Sequence, residues 1–182
     1  MSPGWAVWIT GLPGSGKSVV ARTLKQKLSK EDIQSQIISS DQLRTILTPD
    51  PTYSEDERNM LYQSLICIVN SLTKYGANVI IDATGNKRKY RDDCRAKVKH
   101  FFEVYLKCPL EICIQRESSR KETHMAPKNI YLKAKRSEDN TVPGLGDPYE
   151  PPKKPELQID SNILSPEDIA QIITEYIQKT PI

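Results

Sequence analysis

Gly11-Leu12-Pro13-Gly14-Ser15-Gly16-Lys17-Ser18 is the segment from which the fold of this chain follows, because it fits G-x-x-x-x-G-K-[ST] at every fixed position. In such a loop, backbone N–H groups and the start of the next helix surround phosphate groups. The lysine reaches the terminal phosphates, and the serine hydroxyl is placed to ligate Mg²⁺. The segment therefore predicts a nucleoside triphosphate site. Its predicted phosphate-binding residues are Gly11, Pro13, Gly14, Ser15, Gly16, Lys17 and Ser18.

The flanking residues place this loop between a strand and a helix. The apolar run Trp5-Ala-Val-Trp-Ile-Thr10 precedes it and is typical of a buried strand. Apolar residues follow it at Val20, Ala21, Leu24 and Leu28, which is a helical spacing. A chance glycine turn is rarely found in this context, so the order of strand, loop and helix strengthens the prediction.

Strand and helix patterns alternate along the rest of the chain. Further strands are predicted at Gln36–Ser39, Ala77–Asp82, Phe101–Leu106 and Leu157–Asp160. Helices are predicted at 42–47, 55–74, 88–99, 109–120, 129–135 and 166–177. This alternation predicts an α/β fold of the P-loop NTPase and kinase type, with a doubly wound, mainly parallel five-stranded sheet and helices on both faces. We expect a single domain over residues 1–182, with a polar, proline-rich lid at about 121–155.

Composition limits the classes of function. The chain has 182 residues, and its 26 basic and 23 acidic side chains give a net charge of +3, which is too small to argue for a nucleic-acid partner by itself. The four cysteines form no C-x-x-C pair, so neither a disulfide framework nor a zinc site is indicated. We expect no membrane span and no membrane partner, and a reducing, cytoplasmic location.

The sequence favours a small kinase among the proteins that carry such a loop. A GTPase needs N-K-x-D after a strand, and Asn86-Lys-Arg-Lys89 has lysine in place of the aspartate. The chain is also too short to hold a second large domain of the kind that motors use. A kinase needs cationic groups around the phosphates and a base for a hydroxyl acceptor.

Two aspartates follow predicted strands at the edge where ligands bind. Asp41 is the candidate base, and the alternative is that it caps the helix Gln42–Leu47. Asp82 is a candidate for the Mg²⁺ shell, and the alternative is that it caps the Thr84-Gly85 turn. Arg44 and Arg58 could face the same pocket, although a lone arginine is more often a solvated surface residue.

The chain resembles the adenylylsulfate kinase family over nearly its whole length. The segments Pro127-Lys-Asn-Ile-Tyr-Leu-Lys-Ala134 and Pro143-Gly-Leu-Gly-Asp-Pro-Tyr-Glu-Pro-Pro152 are similar to the family's P-K-G-L-Y-K-K-A and G-I-D-x-P-Y-E-x-P, and Pro155-Glu-Leu157 is similar to P-E-L. Ser39-Ser-Asp-Gln-Leu-Arg44 resembles D-G-D-N-x-R, and Tyr53 to Arg58 resembles F-S-x-x-D-R.

This resemblance implies roles for individual residues. Asp41 would be the base and would act together with Lys17, and Arg116 would contact ATP. Independently of the resemblance, the predicted Mg²⁺ residues are Ser18 of the loop and Asp82, the latter through water. The implied substrate-binding residues are Asp41, Arg44, Tyr53, Arg58, Ala83, Thr84, Lys133 and Val142.

The sequence departs from the family pattern at several substrate-contacting positions. Ser39 and Ser40 replace the first aspartate and the glycine of D-G-D, and Leu61 replaces a substrate-contacting asparagine. Val142 replaces a phenylalanine that stacks on the substrate adenine, and Asp82-Ala-Thr-Gly85 replaces F-I-S-P.

The resemblance implies an enzyme that uses ATP and Mg²⁺ to phosphorylate the 3′-hydroxyl of adenosine 5′-phosphosulfate (APS) in sulfate assimilation. The departures leave open a kinase for another small-molecule or nucleotide-linked hydroxyl, or a nucleotide sensor without transfer activity. Phosphorylation of nucleic-acid ends finds weak support in the basic run Lys87-Arg-Lys-Tyr-Arg91 and in the basic lid, and the small net charge argues against a long polyanion. The family often pairs into dimers, so the resemblance leaves a homodimer open, although no exposed apolar helix is predicted that would demand it.

Overall fold

The computed structural model describes residues 2–120, 129–136 and 141–181. The strands are Trp5–Thr10 (β1), Gln36–Ser39 (β2), Val79–Asp82 (β3), His100–Lys107 (β4) and Leu157–Asp160 (β5). The helices are Lys17–Lys30 (α1), Ser40–Leu47 (α2), Glu55–Lys74 (α3), Arg88–Lys97 (α4), Leu110–Ser119 (α5), Ile130–Arg136 (α6) and Pro166–Lys179 (α7). Residues 121–128 and 137–140 of the predicted lid lie outside the described residues.

The five strands form one parallel sheet in the order β2-β3-β1-β4-β5. This arrangement confirms the predicted α/β class and the parallel sheet. Strand β1 lies at the centre, where Ile9 is in register with Asp82 of β3 and with Val104 of β4. The carboxyl ends of β1, β2 and β3 therefore meet at one edge of the sheet.

Side chains of β1 alternate between two hydrophobic cores, one on each face of the sheet. Val7 and Ile9 pack with apolar residues of α1 and α7. Ala6 and Trp8 pack on the opposite face with apolar residues of α3 and α4. Because helices cover both faces, β1 is apolar along its whole length rather than alternating with polar residues.

Among the predicted boundaries that differ from the structure, two have a clear local cause. The helix predicted to reach Lys99 ends at Lys97, because Val98 adopts an extended backbone and its side chain is buried in the core. The strand predicted from Ala77 begins at Val79, because Asn78 uses its side chain to accept a hydrogen bond from the Trp5 N–H. Both differences lie on the side of the sheet away from the phosphate-binding loop.

No helix in the part of the chain that the structure describes is both long enough and apolar enough to cross a membrane.

Candidate active site

A cleft of about 540 Å³ opens at the carboxyl edge of the sheet. Its walls come from the phosphate-binding loop, from the starts of α1 and α2, from α3, from the loop after β3, and from α5, α6 and the segment after α6. The predicted site residues that line it are Pro13, Gly14, Gly16, Lys17, Ser18, Asp41, Arg44, Tyr53, Arg58, Asp82, Ala83, Thr84, Arg116, Lys133 and Val142. Gly11 and Ser15 belong to the loop but do not line the cleft.

Lys17 occupies the base of this cleft. Its Nζ donates hydrogen bonds of 3.0 Å to the carbonyl oxygens of Gly11 and Leu12, so the ammonium group is folded against the loop. Burial lowers the pKa of Lys17, and the charges of Asp82 and Asp41 oppose that shift. The two aspartates and the lysine therefore form one electrostatic cluster.

Asp82 ends β3 within this cluster. Burial raises the pKa of its carboxyl group, and the charge of Lys17 and a hydrogen bond with Ser18 act in the opposite direction. The Gly85 N–H donates to the Tyr62 hydroxyl at 2.9 Å. Asp82 is therefore a partner of Ser18 and Lys17, and the Gly85 N–H that a cap would bind is taken by Tyr62.

Asp41 lies in the first turn of α2, half-buried beside the same cleft. The alternative that Asp41 caps this helix is wrong. The helix begins two residues earlier than predicted, at Ser40, and Ser39 is its N-cap, with its hydroxyl accepting a hydrogen bond from the Gln42 N–H. Because Ser39 already caps the helix, the Asp41 carboxylate is left to act in the cleft.

Two arginines and a tyrosine line a further part of the cleft. The guanidinium groups of Arg44 and Arg58 lie 4.8 Å and 5.9 Å from the centre of the Tyr53 ring. Arg44 is paired with Glu57, and Arg58 is paired with Asp147 at 3.4 Å. The surface interpretation of these arginines is therefore wrong, since both are held in place at the cleft.

Helices α5 and α6 close the side of the cleft next to the phosphate-binding loop. Tyr131 of α6 is buried and donates its hydroxyl to the Pro13 carbonyl at 2.8 Å. Arg116 of α5 donates to the Ser161 carbonyl at 3.0 Å, which fixes its guanidinium group at the edge of the cleft. Lys133 of α6 is exposed, and its position on the cleft leaves it accessible to a charged ligand.

The segment Asp147–Glu150 is anchored to the body of the protein. The Asn86 amide donates to Asp147 at 2.7 Å, and the Glu150 N–H donates to the Asn86 carbonyl at 2.8 Å. The Tyr149 hydroxyl lies 3.0 Å from the Thr10 hydroxyl, at the end of the central strand. This part of the predicted lid is therefore a fixed support behind the loop that follows β3.

The basic run at the start of α4 is largely neutralised by acidic partners. Lys87 and Lys89 both contact Glu55, and Arg88 contacts Glu150. Arg91 is buried against Glu103. Paired cations offer little to a polyanion, so this run does not form a nucleic-acid surface.

Gly14 allows the phosphate-binding loop to pass close to α5. Its φ is +83°, and a Cβ at this position would lie 2.3 Å from the Cys113 carbonyl oxygen. Gly16 has a similar φ of +98°, but a Cβ there would meet nothing within 4 Å. Gly16→Ala therefore adds only backbone strain, of about 1–2 kcal/mol.

We expect Gly14→Ala to lower the free energy of unfolding by about 1–3 kcal/mol more than Gly16→Ala does, because the loop must also move away from Cys113. Urea unfolding of the two variants without nucleotide measures this difference. Equal losses would contradict the close packing of Gly14 against α5.

Comparison with known proteins identifies the family. The family model described as adenylylsulphate kinase matches residues 3–160. The chain belongs to the adenylylsulphate kinase family. It is 31% identical over 176 residues to the adenylyl-sulfate kinase of Gloeothece citriformis, covering 97% of this chain and 93% of that protein. It is 33% identical over 178 residues to a probable adenylyl-sulfate kinase of Bacillus subtilis, covering 97% and 85%.

A solved structure of this family has the same architecture. The APS kinase CysC of Mycobacterium tuberculosis, in complex with AMPPNP and APS, is similar with a TM-score of 0.86 and 29% identity. The match covers 98% of this chain and 100% of that one. The adenylylsulphate kinase fold therefore extends over the whole described part of the present chain.

The departures from the adenylylsulphate kinase pattern fall at different depths of the structure. Leu61 is fully buried and does not line the cleft, whereas its neighbour Tyr62 does. Val142 lines the cleft, so the loss of an aromatic ring at this position does alter the wall. Sequence reasoning also left out Glu57 and Asp147 as partners of the cleft arginines. Glu57 stands at the aspartate of the F-S-x-x-D-R motif, which marks the position but not its partner, and no local spacing pairs Asp147 with Arg58.

Proposed function

We propose that the protein transfers the γ-phosphoryl group of ATP to the 3′-hydroxyl of APS. The observation that carries this proposal is that Asp41 lines the same cleft as Lys17, the phosphate-binding loop, Arg44 and Arg58. One cleft thus combines an anion-binding loop, a carboxylate able to accept a proton, and cations for a second anion. Phosphoryl transfer to an alcohol requires these parts.

Each group has a separate task in this reaction. The loop and Lys17 bind the β- and γ-phosphates, and Arg116 supports the donor nucleotide. Asp41 accepts the proton of the acceptor hydroxyl as it attacks the γ-phosphorus, and the bond from that phosphorus to the β,γ-bridging oxygen breaks. Arg44, Arg58 and Lys133 bind the anionic groups of APS, while Tyr53, Ala83, Thr84 and Val142 line its pocket.

Ser18 and Asp82 suit a magnesium ion. Both offer oxygen ligands, and they are joined by a hydrogen bond, so their oxygens already lie close together. Mg²⁺ is usually held by one or two protein oxygens together with water and substrate phosphates. When bound, the ion neutralises charge on the β- and γ-phosphates. The buried Asp82 carboxylate would then have a cation to compensate its charge.

The direct test is ADP release with purified protein, ATP, Mg²⁺ and APS. We expect a rate far above that of a control without acceptor, together with formation of 3′-phosphoadenosine 5′-phosphosulfate. Water is a poor competitor because the cleft is closed on several sides by protein. Equal rates with and without APS would contradict the proposal.

Val142 favours one alternative, a kinase for a different hydroxyl on a small or nucleotide-linked molecule. An aliphatic side chain gives up the stacking energy of an aromatic ring, about 0.5–1.5 kcal/mol. A panel of acceptors at equal concentration, scored by ADP release, separates the two functions. ATP binding without turnover on any acceptor would instead indicate a sensor.

A further inference from the structure

Two of the arginines that line the cleft, Arg44 and Arg58, are each held by a carboxylate outside it. Glu57 pairs with Arg44, and Asp147 pairs with Arg58. Neither carboxylate is among the residues that line the cleft. Of the two, Glu57 makes the larger set of contacts, and its partners are elements of the cleft wall.

The Glu57 carboxylate is fully engaged by hydrogen-bond donors. Its Oε1 faces Arg44. Its Oε2 accepts from the Thr52 N–H at 2.5 Å, from the Thr52 hydroxyl at 2.8 Å and from the Tyr53 N–H at 3.1 Å. The side chain is only 8% exposed, so these protein groups take the place of water around the charge.

Tyr53 needs such support because its backbone is strained. Its φ is +56°, a left-handed conformation that costs a non-glycine residue of order 1–3 kcal/mol and persists only when its surroundings hold it. The hydrogen bond from the Tyr53 N–H to Glu57 supplies one restraint. The bond from Arg58 Nε to the Tyr53 carbonyl, at 3.1 Å, supplies another. Glu57 therefore fixes Arg44 and the Tyr53 backbone together.

This pattern differs from ordinary helix capping. Ser54 is the N-cap of α3, and its hydroxyl accepts from the Glu57 N–H. In a capping box, the acidic side chain at the third position would return to the backbone of the N-cap residue. Glu57 instead bonds to the two residues before the cap and to an arginine of another helix. Its contacts are directed toward the cleft wall as well as toward its own helix.

We propose that Glu57 is the positioning residue of the acceptor pocket: it holds the Arg44 guanidinium and the Tyr53 backbone in the arrangement that receives the anionic group of the acceptor. This inference rests on the proposed function, since it assigns Arg44 to the acceptor. Glu57 acts through these two residues and does not touch the acceptor. The benefit is preorganisation, because Arg44 does not have to be ordered when the acceptor binds.

A double-mutant cycle tests this role. Glu57→Gln, Arg44→Ala and the double variant are compared with the wild type for kcat and KM toward APS and ATP, and for the free energy of unfolding. We expect Glu57→Gln to lower kcat/KM for APS by about 10-fold, the size of one charged hydrogen bond, and to leave KM for ATP unchanged. In the Arg44→Ala background, Glu57→Gln should change kcat/KM for APS much less, because Arg44, through which Glu57 mainly acts, is already absent.

Glu55→Gln is the matched control. Glu55 lies in the same first turn of α3, but it is exposed and pairs with Lys87 and Lys89. Glu55→Gln should leave kcat and KM for APS unchanged. Glu57→Asp should keep part of the activity that Glu57→Gln loses, because aspartate retains the negative charge.

Three outcomes would overturn the inference. Glu57→Gln could act equally in both backgrounds, or it could raise KM for ATP as much as KM for APS; either result would leave only a role in helix stability. Arg44→Ala could leave kcat/KM for APS unchanged, which would remove the route through Arg44. Failure of the proposed function would be seen separately, because the wild type would then show no APS-dependent ADP release.

Discussion

Asp41→Asn should lower kcat by about 10²-fold or more while ATP still binds with its original affinity, because asparagine keeps the size of the side chain but cannot accept the acceptor proton. Ser39 caps α2, so the substitution removes no cap and the helix should keep its position. Single-turnover measurements with saturating ATP and APS would give the loss in the chemical step, and titration calorimetry would give the ATP affinity.

Gln42→Ala is a suitable control for this variant. Gln42 is the next residue of α2, its side chain is exposed and it is not part of the cleft lining. Its replacement should leave kcat unchanged. If Asp41→Asn retained full turnover, another group would have to take the proton, and the proposed mechanism would be wrong.

Arg91→Met should lower the free energy of unfolding by about 3–5 kcal/mol, because it leaves a buried glutamate short of its partner. Arg91 is 1% exposed, and its Nε donates to Glu103 at 2.6 Å. It also donates to the carbonyl of Gly85 and, at 2.5 Å, to that of Glu150. One side chain thus joins β4, the loop after β3 and the Asp147–Glu150 support.

Urea unfolding of Arg91→Met, of Glu103→Gln and of the double variant would measure this interaction. The double variant should be more stable than the sum of the two single losses predicts, because it removes both charges of the pair. Arg88→Met is the exposed comparison, since Arg88 pairs with Glu150 at 3.8 Å near the surface and should cost about 1 kcal/mol or less. Equal losses for Arg88→Met and Arg91→Met would contradict the buried network.

The sequence was sufficient to predict the sheet and the donor side of the cleft. The apolar run of β1, the glycine loop and the spacing of α1 are local patterns, and local patterns determine local structure. Asp41 and Asp82 could be assigned to the cleft because the carboxyl ends of neighbouring parallel strands share one edge. The family assignment confirms the fold that these patterns predict.

The cap alternative for Asp41 shows one limit of such patterns. Both Ser39 and Asp41 can cap a helix, and only the position of the first turn distinguishes between them. That position is set by β2, whose last residue Ser39 is in register with Asp82. The capping preferences of serine and aspartate therefore could not show which residue caps α2 until the end of β2 was known.

The supports of the cleft could not be predicted because they join residues far apart in the chain. Asp147 meets Arg58 through the path of the chain after α6, which no spacing reveals. Arg91 did have a signal. It lies on the same helical face as Tyr90 and Cys94, which are buried, but a run of basic residues usually indicates a solvated face.

Because Asp147–Glu150 is anchored, the residues before Asp147 and those from Asp147 onward should tolerate substitution differently in protein engineering. We expect replacement of the residues around Val142 to change which acceptors react, while Asp147 and Tyr149 hold the following segment in place through Asn86 and Thr10. A library that ends before Asp147 should thus yield folded kinases with altered selectivity, whereas one that extends through Tyr149 should mainly yield insoluble protein.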